Sequence, residues 1–413
     1  LQQSFFDFFA AELARQGYSA EQSASFMWGP ATAVPEQLIG PARDKDLSRL
    51  AVNQQQIEAA VQRAAQSGTP QINRDFFRRQ KTVLVLLPGY THETLRNLSW
   101  HDSLQDKQSP HHILMLRPGA PGEPSHESIL HNGDGLKVVY TYYPRSNAAS
   151  SVIGPGLFEL LHNSPSLQSW VAAGYRLFFV GYSNGAALSL ELLADLNSGQ
   201  YADDFILKNT AGFLSLCGDI GGAYLADDLL SDKPKLVNFP KLLAFARKHP
   251  LFAKLVGLGS QQLQDDAIEG IRSLGRPVRQ ACMADYGPRL PNHIKYYSVA
   301  AVMPLADYRR RFWQFNLDDW SMYRQALVTD PITVYNDGQV ALPDNLLPTQ
   351  LPATQRMHLG QVRTHHWGVA YQTFNLGSNR FPRAAFYRAL MRTILAADES
   401  FTANQNNDIG AKP

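Results

Sequence analysis

Leu177-Phe178-Phe179-Val180-Gly181-Tyr182-Ser183-Asn184-Gly185-Ala186 is the stretch on which the reading of this chain turns. An aromatic and aliphatic run leads straight into G-Y-S-N-G, and an apolar-periodic segment from Ala186 to Leu196 follows at once, the pattern of a strand, a sharp turn and a helix. Glycines on both sides of the serine allow backbone and helix to approach closely, so that the Ser183 hydroxyl is left exposed at the end of the strand. The helix N-terminus behind it contributes backbone N–H groups and the positive end of a dipole where negative charge on an oxygen would be stabilised. The same ten residues could also be a plain small-residue turn, so the decision falls to what the rest of the chain supplies.

Working outward, Thr82 to Leu87 is a continuous β-branched and leucine run closed by Pro88-Gly89, as in a strand buried on both faces. Lys137 to Tyr143, Tyr175 to Val180, Gly212 to Cys217 and Ile294 to Ala300 read as further strands, with a helix expected over Gly156 to Ala173. Strands and helices alternating at this length predict a mostly parallel sheet with helices on both faces. Between Gly221 and about Leu290 the pattern changes to helices rich in Leu, Lys and Ala, broken at Pro234, Pro240, Pro250 and Pro277. An insertion there would sit over the strand ends. The first 75 residues read as helical, Phe5, Phe6, Phe8 and Phe9 leading the first segment and Asp46 to Ala65 forming a second with Leu47, Leu50, Ile57 and Val61 on one face. Without a lysine-rich opposite face, the four phenylalanines are expected to dock on the protein's own core rather than on a membrane.

The expected organisation is an N-terminal helical extension over 1–75, a core over 76–221 and 291–397, a helical insertion over 222–290 and a flexible tail over 398–413. A chain of 413 residues with 44% hydrophobic and 18% charged residues buries a large core. A net charge of +2 gives no overall electrostatic reason to expect a nucleic acid or an anionic membrane as partner. Arg309-Arg310-Arg311 is interleaved with Asp307, Asp318 and Asp319 and reads as a mixed-charge solvated face. No apolar run reaches the ~18 residues of a membrane span. Cys217 and Cys282 permit one disulfide and no metal framework, and Cys217, in an apolar run, reads as a buried free thiol. The first residue is Leu, which leans the compartment towards secreted or periplasmic.

A serine hydroxyl is a poor nucleophile at neutral pH and needs a base within hydrogen-bond reach and an acid to orient that base. In an open sheet of this kind the chain order is nucleophile, acid, histidine. Asp337, in V-Y-N-D-G-Q-V from Val334 to Val340, is the acid candidate, with Asp307 and Asp330 as rivals; Asn-Asp-Gly is equally the composition of a tight turn. His366, in T-H-H-W-G-V-A from Thr364 to Ala370, is the base candidate. Its neighbour His365 would point the opposite way on an extended segment. Thr91-His92-Glu93-Thr94 cannot be the zinc helix motif, since its second histidine falls at Arg96, and His111 and His112 read as loop or strand-edge residues. The two backbone donors for an oxyanion would be Asn184, after the nucleophile, and Tyr90, past Pro88-Gly89. Tyr182 and Trp367, flanking the serine and the histidine, are candidate substrate contacts. No cofactor and no metal are expected.

Together, L-L-P-G-Y at 86–90, G-Y-S-N-G at 181–185, N-D-G-Q-V at 336–340 and H-W-G-V at 366–369 resemble the α/β-hydrolase fold, closest to its bacterial lipase and esterase branch. The resemblance covers residues 80–222 and 291–395. It implies that Asp337 is the acid, and that the chain is an α/β-hydrolase with a helical cap insertion and an N-terminal helical extension. The implied function is hydrolysis of a small-molecule or lipid-like carboxylic ester through an acyl-enzyme on Ser183. Acyl transfer or amide hydrolysis on the same side chains, or an inert ligand-binding protein, are the alternatives. Gly218 to Asp227 only half matches the G-T-P-H-x-G-S segment of those lipases, and Trp367 and Gly368 stand where they carry a calcium-binding aspartate. Phe312, Trp313, Phe315 and Trp320 suggest an apolar or aromatic acyl group, or else ordinary core contacts.

Overall fold

The computed structural model describes residues 2–30, 47–67, 81–90, 111–116, 123–127, 136–143, 145–202, 205–255, 261–311, 316–370 and 381–397. Thr91 to Thr94, Arg96, Phe312, Trp313, Phe315 and the tail after Ala397 lie outside them.

Among the described residues eight strands, β1 (Thr82–Leu87), β2 (His111–Leu116), β3 (Glu123–Glu127), β4 (Leu136–Thr141), β5 (Arg176–Tyr182), β6 (Thr210–Leu216), β7 (Lys295–Ala301) and β8 (Arg356–Val362), form one sheet in the order β3-β2-β4-β1-β5-β6-β7-β8. Every pairing is parallel except that of β2 with β3. The central strands divide their side chains between two cores with the period of two that a pleated strand imposes. Leu84, Leu86, Phe178, Val180, Leu214 and Tyr297 enter one core, while Val83, Val85, Leu177, Phe179, Phe213 and Tyr296 enter the other. Both faces being covered, these strands carry continuous apolar runs rather than alternation, which is why they were legible in the sequence.

On the first face lie α1 (Gln2–Arg15), α2 (Gln54–Gln66) and, from the end of the chain, a helix over Arg383–Ala397. Phe5, Phe6, Phe8 and Phe9 are buried, and the Phe9 ring meets those of Phe381 and Phe386 at 6.0 and 5.9 Å. The second helix begins later than Asp46. Asn53 caps it in a reciprocal pair with Gln56, while Leu47 belongs to a separate cluster with Trp28, Val302 and Leu342. On the second face lie α3 (Ser150–His162), α4 (Pro165–Ala172) and α5 (Asn184–Asn197). The single helix expected over Gly156 to Ala173 is two, because Ser164 accepts from the Leu167 N–H and Pro165 starts a new helix.

Between β6 and β7 run α6 (Tyr224–Leu230), α7 (Phe239–Lys248), α8 (Pro250–Leu255), α9 (Gln261–Leu274) and α10 (Arg276–Tyr286). After β7 come α11 (Leu305–Arg311) and α12 (Leu317–Thr329), and the chain closes with α13, the Arg383–Ala397 helix. No helix among the described residues is long and apolar enough to cross a membrane.

Candidate active site

β5 runs into α5 through a single residue, Ser183, held at φ 55° and ψ −127°. For a residue with a Cβ this region costs of order 1–3 kcal/mol and persists only where neighbours enforce it. Here the Ser183 N–H donates to the Leu216 carbonyl at 3.0 Å, and the Ser183 carbonyl accepts from Ala186 at 3.0 Å and Asp219 at 3.1 Å. The glycines make room. A Cβ at Gly185 would fall on the Leu87 and Pro88 carbonyl oxygens, and one at Gly89 would stand 3.0 Å from the Ser183 Cβ. The loop after β1 therefore lies directly against the serine, and the buried Tyr143 hydroxyl, donating to the Pro88 carbonyl at 2.7 Å, holds that loop in place.

Asp337 follows a short turn anchored to the end of β7, since the Met303 N–H donates to the Asn336 carbonyl at 2.9 Å. Gly338, at φ 99°, reverses the chain, and its N–H donates to Asn336 Oδ1 at 3.0 Å. Asp337 Oδ1 accepts from the N–H groups of Gln339 at 2.9 Å and Val340 at 2.8 Å, which leaves Oδ2 pointing away from its own turn. Oδ2 lies 2.6 Å from His366 Nδ1, and the His366 N–H donates to the Asp337 carbonyl at 2.7 Å. Both side chains are buried. The tight turn read in the sequence is present: it saturates one carboxylate oxygen of Asp337 and leaves the other on His366.

The other ring nitrogen, His366 Nε2, is buried and has no hydrogen-bond partner among the described residues, so no hydrogen bond joins it to the Ser183 hydroxyl. Tyr182, the residue before the serine, lies against this ring at 5.0 Å between centroids, and its hydroxyl donates to the His366 carbonyl at 3.1 Å. Trp367 is half-buried against the cluster of Met303, Tyr308 and Met322. The backbone N–H groups of Asn184 and Tyr90 donate to no backbone carbonyl among the described residues. The Tyr90 hydroxyl is 3.1 Å from the carbonyl oxygens of both Asn147 and Ala267, which seats α9 on the loop after β1.

The rivals for the acid are engaged elsewhere. Asp307 holds Arg363 through two contacts at 2.6 and 2.8 Å, and Asp330 ends α12. His365 turns away from His366 and lies 3.1 Å from Asp319. Trp320 is 55% exposed on α12, so it is neither a core contact nor part of an enclosed pocket. His111 stands at the start of β2.

Two residues near the serine carried no clear sequence signal. Cys217, at φ 46° after β6, is a free, buried thiol whose sulfur lies within 4.8 Å of ligand atoms of both Asp337 and His366. Burial and then the Asp337 charge push this thiol well above its ordinary range. The three could be considered as metal ligands. However, the 2.6 Å between Nδ1 and Oδ2 is a hydrogen-bond distance. Two ligands on one tetrahedral zinc stand roughly 3.3 Å apart, so the set fits a hydrogen-bonded pair beside a thiol. Asp219, whose N–H binds the Ser183 carbonyl, is buried with Oδ1 unpartnered among the described residues, and desolvation raises its carboxyl to about 8 despite the opposing charge of Arg279.

No protein-family model matches the sequence, and no curated protein matches it. Among solved structures, a metagenomic carboxyl esterase superposes with a TM-score of 0.49 at 20% identity, over 76% of this chain and 76% of its own. The mature form of a Bacillus licheniformis lipase superposes with a TM-score of 0.40 at 14% identity, over 79% of this chain and 96% of its own. At such values the fold is carried by the strand order and the strained serine turn themselves. These give a mostly parallel sheet, helices on both faces and a strained strand-to-helix turn after β5, which is the α/β-hydrolase fold.

Proposed function

We propose that the protein is a serine hydrolase cleaving carboxylic esters, with Ser183 as nucleophile, His366 as general base and then general acid, and Asp337 as the acid that orients it. The observation carrying this reading is the state of the His366 ring, bound at Nδ1 by a buried carboxylate 2.6 Å away and, among the described residues, unpartnered at Nε2 beside the residue that precedes the strained serine. An imidazole so held has one tautomer and one free basic nitrogen.

In the proposed reaction the Ser183 oxygen attacks the ester carbonyl carbon and Nε2 takes its proton. The N–H groups of Asn184 and Tyr90 hold the oxyanion, a donor pair whose members are worth ~3 kcal/mol each to the transition state. Collapse expels the alcohol, which leaves with the proton from His366. Water then attacks the acyl-enzyme by the same route, releasing the carboxylic acid and restoring the serine. Tyr182 acts through His366, whose carbonyl and ring it engages, and Trp367 is the flanking substrate contact. The helices over 222–290 serve as the cap, a role supported by the seat of α9 on Tyr90.

The test is steady-state hydrolysis of short p-nitrophenyl esters by Ser183→Ala, expected to fall by at least ~10³-fold. A fluorophosphonate should label the parent protein and leave the variant unlabelled. Unchanged hydrolysis in the variant would remove the proposal.

A further inference from the structure

The net charge of +2 conceals a segregation. Residues 233–264 contain six Lys and Arg and neither Asp nor Glu, so the chain divides into +6 over these thirty-two residues and −4 elsewhere. Half of this segment is α7 and α8, and α7 is two-faced. Leu243 and Ala246 are buried, Leu243 packing with Phe239 and with Ile268 of α9. Lys241, Phe245 and Lys248 follow one another at four and three residues and share the exposed face. Phe245 is 47% exposed with the His249 ring at 4.1 Å, and in α8 Leu251 is 87% exposed. Lys233 and Lys235 are exposed ahead of the helix. Of the basic side chains here, Arg247 is paired with Asp265 at 2.8 Å, whereas Lys233, Lys235, Lys241 and Lys248 form no salt bridge among the described residues.

We infer that this face docks the protein on an anionic lipid bilayer. Large apolar side chains projecting from a surface, with lysines on either side at helical spacing, match the two layers of a membrane interface: apolar tips reach the acyl boundary while flexible ammonium groups stay among headgroup phosphates. The unpaired cations are lysines, point charges that attract an anionic surface without the bidentate geometry that reads one partner group. Phe245 and Leu251 present their apolar side chains to solvent. Docking this way brings the bilayer to the outer side of a helix layer whose inner member, α9, touches the loop after β1 through the Ala267 carbonyl and Tyr90. The inference stands apart from the proposed hydrolysis, since it concerns a surface that shares no residue with the site.

The experiment uses the full chain carrying Ser183→Ala, so that no lipid is turned over, and sediments it with vesicles of phosphatidylcholine alone or with about a third phosphatidylglycerol. Partition onto the anionic vesicles is expected to be at least about tenfold greater, and to fall steeply between about 0.1 and 0.5 M salt. Lys241→Glu with Lys248→Glu should abolish the preference, and Leu251→Ser alone, at an exposed position that leaves folding intact, should weaken binding several-fold. Equal partition onto both vesicles, or binding that none of these changes alters, overturns the inference. So does a dimer in sedimentation velocity that Leu251→Ser dissociates, for the face would then join two copies of this chain.

Discussion

His365 and His366 are consecutive, yet their rings engage carboxylates on different elements. His366 Nδ1 lies 2.6 Å from Asp337 Oδ2, and His365 Nε2 lies 3.1 Å from Asp319 Oδ1 on α12. His365 Nδ1 accepts the Gly368 N–H at 3.1 Å, which puts the proton of the neutral ring on Nε2, facing Asp319. One histidine thus fixes the turn that presents the other. Asp337→Asn should lower kcat on a p-nitrophenyl ester by about 10⁴-fold with little change in KM, because an amide favours the wrong tautomer. Asp319→Asn should lower it by less than about tenfold, acting only through the turn. Equal losses in the two variants would mean that the acid is misassigned.

The strained serine turn makes a stability prediction of its own. A Cβ at Gly185 meets two backbone carbonyls, those of Leu87 and Pro88, and neither can move without shifting β1. Gly199, at φ 74°, has nothing within 4 Å of its would-be Cβ. Gly185→Ala should therefore destabilise the protein by more than about 3 kcal/mol, against about 1 kcal/mol for Gly199→Ala, where only the left-handed backbone is penalised. Urea unfolding of the two variants compares them directly, and similar midpoints would mean that the β1 loop is not packed against the elbow.

Legibility followed burial. β1, β5, β6 and β7 are covered on both faces and announce themselves as apolar runs, whereas β8 begins with Arg356, Met357 and His358 only half-buried, and no such run marks it. Ser183, Asp337 and His366 were legible as candidates because each sits in a short stretch where backbone geometry restricts composition. Cys217 and Asp219 were not, since their place beside the site arises from the ends of β6 and β7 coming together, a long-range fact with no local pattern. The basic segment over 233–264 was hidden by the acidic remainder of the chain.

Cys217 offers a chemical check on how closed this region is. Its thiol is buried and pushed well above its ordinary range, so it is neither exposed nor ionised at neutral pH. Iodoacetamide should leave it unmodified in the native protein and modify it on unfolding, while the half-buried Cys282 reacts slowly in the native protein and as readily as Cys217 once unfolded. Peptide mapping by mass spectrometry reads the two sites separately. Rapid native alkylation of Cys217 would show that the space beside Asp337 is open.

Asp219 sets a pH dependence whose sign is unusual for a carboxylate. Desolvation, the leading cause, raises its folded value to about 8, against about 4 when unfolded, and the neighbouring charges of Asp344 and Asp337 push the same way while Arg279 opposes them. The folded state therefore binds one more proton than the unfolded state between these limits, so the stability this group contributes is full below about pH 4 and is lost as pH rises through about 8. Asp344, raised to about 6 chiefly by burial and held back by Arg276, tilts the curve in the same direction at lower pH. Asp219→Asn keeps the shape and removes the titration, so its melting temperature should exceed the parent's at pH 8.5 by more than it does at pH 5. Thermal unfolding followed by circular dichroism at the two pH values measures the difference. Parallel curves for parent and variant would mean that Asp219 is solvated, and the packing drawn here between the end of β6 and the serine turn would have to be loosened.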